Sequence, residues 1–373
     1  MITPCYFEEK KLLLKNMEES QKKILNALNI AFSPSPESVI KILNHVSQPE
    51  KAFYLGEEKL KKYGFKNDSV SNFLKKRKEI DIEKEWQRLK KENVRFITKD
   101  EKEYPTLLKE IAKPPIGFYI KGHLLSNENY LASVGTRYPS DYGKMVVSEI
   151  IGEACQYFTI VSGMARGIDS FSHKACLLRG QRTVAVVGTG LDIVFPPENK
   201  NLAKEIENKG AIISEFPLGT PSLAYNFPLR NRIIAGMARG TVVIEGKINS
   251  GSLITANSAL EESREVFAVP GPIFSKTSEG PNELIKQGAH PVTKVSDILA
   301  VFNLKDAFNQ EKEIKGETAE EDLILKILKE EMASTDEIIK KTKLDAGKVN
   351  SALILMEIQG KIKRSGNTYT INN

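Results

Sequence analysis

Residues 158–177 read FTIVSGMARGIDSFSHKACL. An apolar, β-branched run (158–163) closes on a glycine, a short loop carries Arg166 and Gly167, and a stretch of helical length begins at once. The same order recurs along the chain. Runs of strand character lie at VRFIT (94–98), LASVG (131–135), TVAVVG (183–188), AIISE (211–215), TVVIE (241–245) and VFAVP (266–270). Between them fall segments of helical length such as DYGKMVVSEIIGEACQY (141–157) and SGSLITANSALEESR (250–264). Near-continuous apolar strands alternating with helices predict an α/β domain whose parallel sheet is covered on both faces.

The flanks read differently. Residues 1–85 are short amphipathic helices with breakers at SPSPES (33–38) and YGFKND (63–68), and LGEEKLKKYGF (55–65) has the proportions of a helix–hairpin–helix or of a plain helical bundle. The expected organisation is a small helical domain over 1–85 (SAM-like or helix-hairpin-helix-like), the α/β domain over 86–303, a polar, aperiodic linker over 304–320, and a winged helix over 321–373. In the last of these, EEDLILKILKEE, STDEIIKKTK and DAGKVNSALILMEIQG are three helices, and KIKRSGNTYTI is a hairpin turning at Ser-Gly-Asn. Its charges nearly balance, which leaves duplex DNA and protein both open as its partner.

A 373-residue chain with 40% hydrophobic and 27% charged residues is ordinary globular material, which excludes collagen-like, disulfide-scaffold and wholly disordered classes. No apolar run has the length of a membrane span. Acids interrupt the N-terminal apolar stretch, so no signal peptide is expected. Three cysteines (Cys5, Cys155, Cys176) without a Cys-x-x-Cys pair fit a reducing cytoplasm. The 54 Lys and Arg exceed the 48 Asp and Glu, and the whole surplus falls within residues 1–100, most densely at Lys75, Lys76, Arg77 and Lys78. That run reads first as a solvated helix face and second as a phosphate-contacting edge. Of 12 arginines, 8 lie between 131 and 270 beside only 6 lysines. Arginine's rigid fork of donors binds phosphate or carboxylate bidentately where lysine offers a mobile point charge. Buried ion pairs prefer arginine too.

Three loops place glycine between a strand and a helix, where backbone N–H groups and the helix dipole favour an anion. They are SVGTRYPSDYG (133–143), VSGMARGIDSFSH (161–173) and VVGTGLDIVFPPEN (186–199). None has P-loop spacing, and the Gly-Thr-Gly at 188–190 lacks the third glycine of a dinucleotide fingerprint. The densest stretch is AYNFPLRNRIIAGMARG (224–240), where Phe227 precedes Arg230, Asn231 and Arg232. Guanidinium with a neighbouring aromatic suits a single nucleic-acid strand, phosphate on one and base on the other; internal ion pairing is the competing role. NSGSLITA (249–256) opens a further helix on Ser250, Gly251 and Ser252. Catalytic groups are scarce. Asp169 and His173 would share a helix face, more as a structural pair than as acid and base; His173 and Cys176 alone make no zinc site. Glu215 and Glu245 end strands and are the remaining carboxylates an enzyme could use.

In this order, SVGTRYPSDYG, IVSGMARGIDSFSHKACL, AVVGTGLDIVFPPEN, ISEFPLGT, NFPLRNRIIAGMA, VVIEGKINSGSLITANSALE, VFAVPGP and GPNELIKQGA resemble the DNA processing protein A (DprA/Smf) family, over roughly residues 94–300. The upstream YPTLLKEIAKPPIGFYIKG (104–122) is similar too, and Thr136 stands where many members carry Ser. The resemblance implies an extended Rossmann-like domain, homodimeric, without cofactor or metal, that binds single-stranded DNA in a basic pocket and hands it to the recombinase RecA during natural transformation. It places the pocket arginine at Arg137, the aromatic and arginine-rich segment at Phe227, Arg230 and Arg232, and the serine turn at Ser250, Gly251 and Ser252. The expected nucleic-acid-binding set is therefore Gly135, Thr136, Arg137, Ser162, Gly163, Arg166, Gly167, Phe227, Arg230, Asn231, Arg232, Ser250, Gly251 and Ser252. A binding protein, not an enzyme, is the expectation. The alternative is a nucleotide N-glycosidase-type enzyme on a related fold, but IEGKINSGSLIT (244–255) lacks the paired glycines and the adjacent Glu which that chemistry uses.

Overall fold

The structure, a computed structural model, describes residues 17–33, 35–304 and 316–371. Cys5 and most of the linker expected over 304–320 lie outside the described residues. The chain forms two compact units, one ending at Val301 and the other beginning at Phe302.

The first unit is built on a nine-stranded sheet: β1 (Arg95–Thr98), β2 (Gly117–Gly122), β3 (Tyr130–Val134), β4 (Thr159–Ser162), β5 (Thr183–Val187), β6 (Ala211–Ser214), β7 (Gly240–Val243), β8 (Glu265–Ala268) and β9 (His290–Pro291). Their order is β1-β2-β6-β5-β4-β3-β7-β8-β9. Strands β3 to β9 pair in parallel, as the alternating pattern predicts. At one edge β2 runs antiparallel to both β1 and β6. Its connection to β1 carries only the five-residue helix Thr106–Glu110, with no crossover helix to turn the chain back into a parallel strand. Side chains alternate between two cores. Ala185, Val187 and Ile212 face one, while Val184, Val186 and Ile213 face the other. This period of two, with both faces buried, is why the strands read as unbroken apolar runs.

The chain lays down β3, β4, β5 and β6 in one direction, then returns to place β7 on the free side of β3. The crevice between the carboxyl ends of β3 and β7 is thus the point where strand order reverses.

Helices Glu19–Phe32, Pro36–His45, Pro49–Phe53, Glu57–Lys62, Asn67–Glu79 and Ile82–Lys91 cover the face of Ala185 and Val187. Their contact is partly polar. Tyr119 of β2 is fully buried; its hydroxyl donates to Asn26 Oδ1 (2.7 Å) and accepts from Asn29 Nδ2 (3.1 Å), which also donates to the Glu215 carbonyl (3.0 Å). Half of the basic run turns inward: Lys76 Nζ donates to the Ser33 carbonyl, and Arg77 Nη1 donates to the carbonyls of Phe53 (2.9 Å) and Leu55 (2.6 Å). Lys75 and Lys78 stay exposed.

The second unit is a winged helix of Ala319–Glu330, Thr335–Thr342 and Ala346–Ile358 with a small sheet, β10 (Ala333–Ser334), β11 (Ile362–Ser365) and β12 (Thr368–Ile371). Ile324, Leu328, Ile338, Leu353, Met356 and Tyr369 build its own core. Ser334 and Glu337 make a reciprocal capping box, and the hairpin turns at Gly366, whose φ of 62° is in the left-handed region.

Removing the Tyr119 hydroxyl would leave Asn26 Oδ1 without its donor and Asn29 Nδ2 with the Glu215 carbonyl alone. Tyr119→Phe is expected to lower stability by about 1–3 kcal/mol in urea titration; an unchanged midpoint would show that the asparagines find other partners.

Candidate nucleic-acid interface

At the reversal point lies a pocket of about 500 Å³. Its walls come from the turn after β3, the start of the Ile168–Leu178 helix, the start of the Asn226–Met237 helix and the start of the Gly251–Glu261 helix. Three helix N-termini therefore bring their positive ends to one space. Neither of the last two helices has an acid in its first turn to occupy that field.

Gly135, Thr136, Arg137, Phe227, Arg230, Asn231, Ser250, Gly251 and Ser252 all line the pocket. Backbone bonds fix the β3 turn: Thr136 N donates to the Glu245 carbonyl (2.7 Å), and Ile168 N donates to the Thr136 carbonyl (3.1 Å). Arg137 is exposed and makes no hydrogen bond or ion pair among the described residues. Its guanidinium carbon stands 5.9 Å from the Phe227 ring centre, and that of Arg230 stands at the same distance. Asn231 Nδ2 donates to the Gly251 carbonyl (3.3 Å), and Ser250 Oγ meets Ser252 Oγ at 2.7 Å.

Arg230 is buried. Its Nη1 donates to the carbonyls of Gly163 (2.8 Å) and Val186, and Nε donates to Asn231 Oδ1 (3.1 Å). Burial pushes its pKa down to about 10; Asp169 opposes that fall and Arg137 adds to it. It remains a cation at neutral pH, so two positive groups share one aromatic ring. Asp169 answers part of this charge, and its carboxylate accepts from Gly163 N (3.2 Å) and Ala165 N (3.4 Å). Burial raises the pKa of Asp169 while Arg230 pulls it back.

The other expected residues lie outside the lining. Arg232 points away, donating to the Glu215 carboxylate and the Lys113 carbonyl. Two helical steps turn about 200°, so Arg230 and Arg232 cannot face the same side. Arg166 is exposed and paired with Glu198. Ser162 Oγ donates to the Ser133 carbonyl (2.6 Å) inside the sheet. Gly163 supports from behind: a Cβ there would stand 2.5 Å from Arg230 Nη1. Gly167, with φ 77°, lies so close to the Thr136 carbonyl that a side chain would collide with it. In exchange Tyr138, Phe195, Pro228 and Ile254 enter the lining. Phe195 belongs to the third glycine loop and meets Phe227 at 5.8 Å between ring centres. Tyr138 was not among the expected residues, although an aromatic directly after a loop arginine is the signal that would have found it.

The carboxylates open to catalysis are engaged elsewhere. Glu245 is buried and accepts from Ser140 N (2.9 Å), Ser140 Oγ (2.6 Å) and Thr277 Oγ1 (2.9 Å). Glu215 holds Arg232; burial raises its pKa, against the pull of that guanidinium. His173 turns to Thr183 rather than Asp169, with Nδ1 2.7 Å from Oγ1. Because that hydroxyl donates to the Ile160 carbonyl (2.7 Å), the imidazole must be the donor, which leaves Nε2 unprotonated, buried and without a partner among the described residues. Burial first, and Arg230 second, push the His173 pKa down to about 3.

An open α/β domain with an anion-seeking crevice at its strand-order reversal, followed by a winged helix, defines a nucleotide- or nucleic-acid-binding protein. Residues 95–303 match the family DNA recombination-mediator protein A, and 309–367 match the DprA winged helix domain. The chain belongs to the DNA recombination-mediator protein A family. It is 33% identical over 341 residues to Protein Smf of Synechocystis, covering 81% of this chain and 86% of that one. The X-ray structure of DNA processing protein A from Streptococcus pneumoniae superposes with a TM-score of 0.65 at 35% identity, over 77% of this chain and 98% of that one. DNA processing protein A from Helicobacter pylori, whose structure is described for its single-stranded DNA binding mode, gives 0.50 at 25% identity over 57% and 97%.

The depressed His173 pKa has a consequence below neutrality. The unfolded chain takes up the proton near pH 6.5 and the folded one does not until about pH 3, so stability falls with pH across that window. Between pH 7 and 5.5 this group alone is expected to remove about 1.3 kcal/mol, which His173→Asn should spare. Equal losses in both proteins on urea titration would reject the assignment.

Proposed function

We propose that the chain is a non-catalytic single-stranded DNA-binding recombination mediator. The observation that carries this reading is the Arg137 guanidinium, exposed and unpaired beside Phe227, in a pocket where three helices begin and a second, buried arginine adds positive charge. Phosphate would neutralise Arg137 and the helix ends, while a base stacks on the aromatic wall of Phe227, Phe195 and Tyr138. Such contacts carry no sequence preference. The Helicobacter pylori relative's single-stranded DNA binding mode and the family's description as a recombination mediator support the same ligand and role.

The fuller activity is loading of a RecA-type recombinase onto the bound strand, with protection of incoming DNA during natural transformation. A cytoplasmic homodimer is the acting form. Shortening of the RecA nucleation lag on strands coated with single-strand-binding protein tests this step separately from binding.

Binding itself is tested by fluorescence anisotropy on a labelled strand and a matching duplex across a salt series. Arg137→Ala is expected to weaken single-strand binding at least tenfold and to reduce the salt slope by about 0.7, the loss of one phosphate contact. Phe227→Leu should weaken binding while leaving the slope unchanged. A folded Arg137→Ala protein with wild-type affinity would remove the pocket from this role.

A further inference from the structure

Beside the pocket stands a second surface whose exposed apolar and basic side chains its lining does not include. The loop at 271–278 carries Ile273 and Phe274, 79% and 94% exposed, and the neighbouring loop at 246–250 carries Ile248, 52% exposed. The two loops are tied at their roots: Gly246 N donates to the Thr277 carbonyl (2.6 Å), Gly280 N donates to the Gly246 carbonyl (2.8 Å), and Thr277 Oγ1 donates to Glu245. The 246–250 loop then runs directly into Ser250 and Ser252 of the pocket wall. Neither loop contains an acid. The side chains of Lys247 and Lys276 are exposed, and their ammonium groups make no ion pair or hydrogen bond among the described residues.

We propose that a strand bound in the pocket continues over these loops, with Phe274 as a second base-stacking platform and Lys247 and Lys276 as phosphate contacts. This rests on the single-strand reading of the pocket. An exposed aromatic flanked by unpaired lysines and small hydroxyls is the chemistry of sequence-tolerant strand binding. The shared root positions the platform relative to the pocket, since Glu245 bonds both the turn that follows Arg137 and Thr277 of the loop. A protein partner is the rival occupant; two unneutralised lysines within so small an apolar patch favour the polyanion.

The test compares oligothymidylates of about four and about twelve nucleotides, short enough for the pocket alone and long enough to leave it. Phe274→Ala is expected to weaken the longer strand about tenfold and to leave the shorter unchanged. Lys247→Gln and Lys276→Gln should each lower the salt slope on the longer strand by about 0.7. Arg137→Ala should weaken both lengths. If Phe274→Ala matches wild type on the longer strand while Arg137→Ala fails on both, the loop proposal falls and the pocket reading stands. Equal loss on both lengths by Phe274→Ala would merge the loop with the pocket and overturn a separate platform. Wild-type affinity together with an altered sedimentation coefficient would assign the loop to protein contact and overturn it as well. Absence of single-strand binding by the wild-type protein would end both readings.

Discussion

Burying the guanidinium of Arg230 sets conditions on much of the domain around it. A cation removed from water needs acceptors, and here the carbonyl ends of β4 and β5 receive Nη1 and the side-chain amide oxygen of Asn231 receives Nε. The approach is so close that Gly163 has no room for a side chain. Asp169 answers the charge from the next helix, and His173 behind it is held neutral. The Phe227 ring then lies near both this fixed arginine and the exposed Arg137. One guanidinium thus locks the pocket floor while the other remains available. Replacing Arg230 would disturb the strand ends before it altered the pocket's charge, whereas Arg137 can change with little structural effect.

The parallel strands were legible because burial on both faces writes a continuous β-branched, apolar run and each is followed at once by a stretch of helical length. β2 was not, since GFYIKG gains its place only by pairing with β1 and with β6, far along the chain. The pocket was legible as a set of loops but not as a set of directions. Arg230 and Arg232 look alike in sequence, and only the phase of the helix that begins at Asn226 sends one to the pocket and the other to Glu215. Phe195 comes into the wall because its loop folds over Phe227, a path that no local pattern encodes. Glu245, which ends a strand on the ligand-facing side, is drawn instead to Ser140 and Thr277.

Charge also reads differently in three dimensions. The N-terminal surplus suggested a basic face, yet Lys76 and Arg77 serve as donors to helix-end carbonyls. Polar contacts at Tyr119 register the helical layer on the sheet where apolar packing alone would allow sliding. The winged helix closes its own core and presents Ile354, Leu355 and Ile358 from its third helix, with few of the bidentate donors that read bases in a major groove.

The strand order has a consequence for how the chain is made. β3 ends at Val134, but its outer neighbour β7 begins only at Gly240. At ribosomal speed, roughly ten seconds separate the two. Through that interval the outer edge of β3 stays unpaired, while at the opposite side β2 gains β6 about 25 residues before β7 is made. The crevice acquires its second wall when β7 pairs with β3, so covering that edge and forming the pocket are one step.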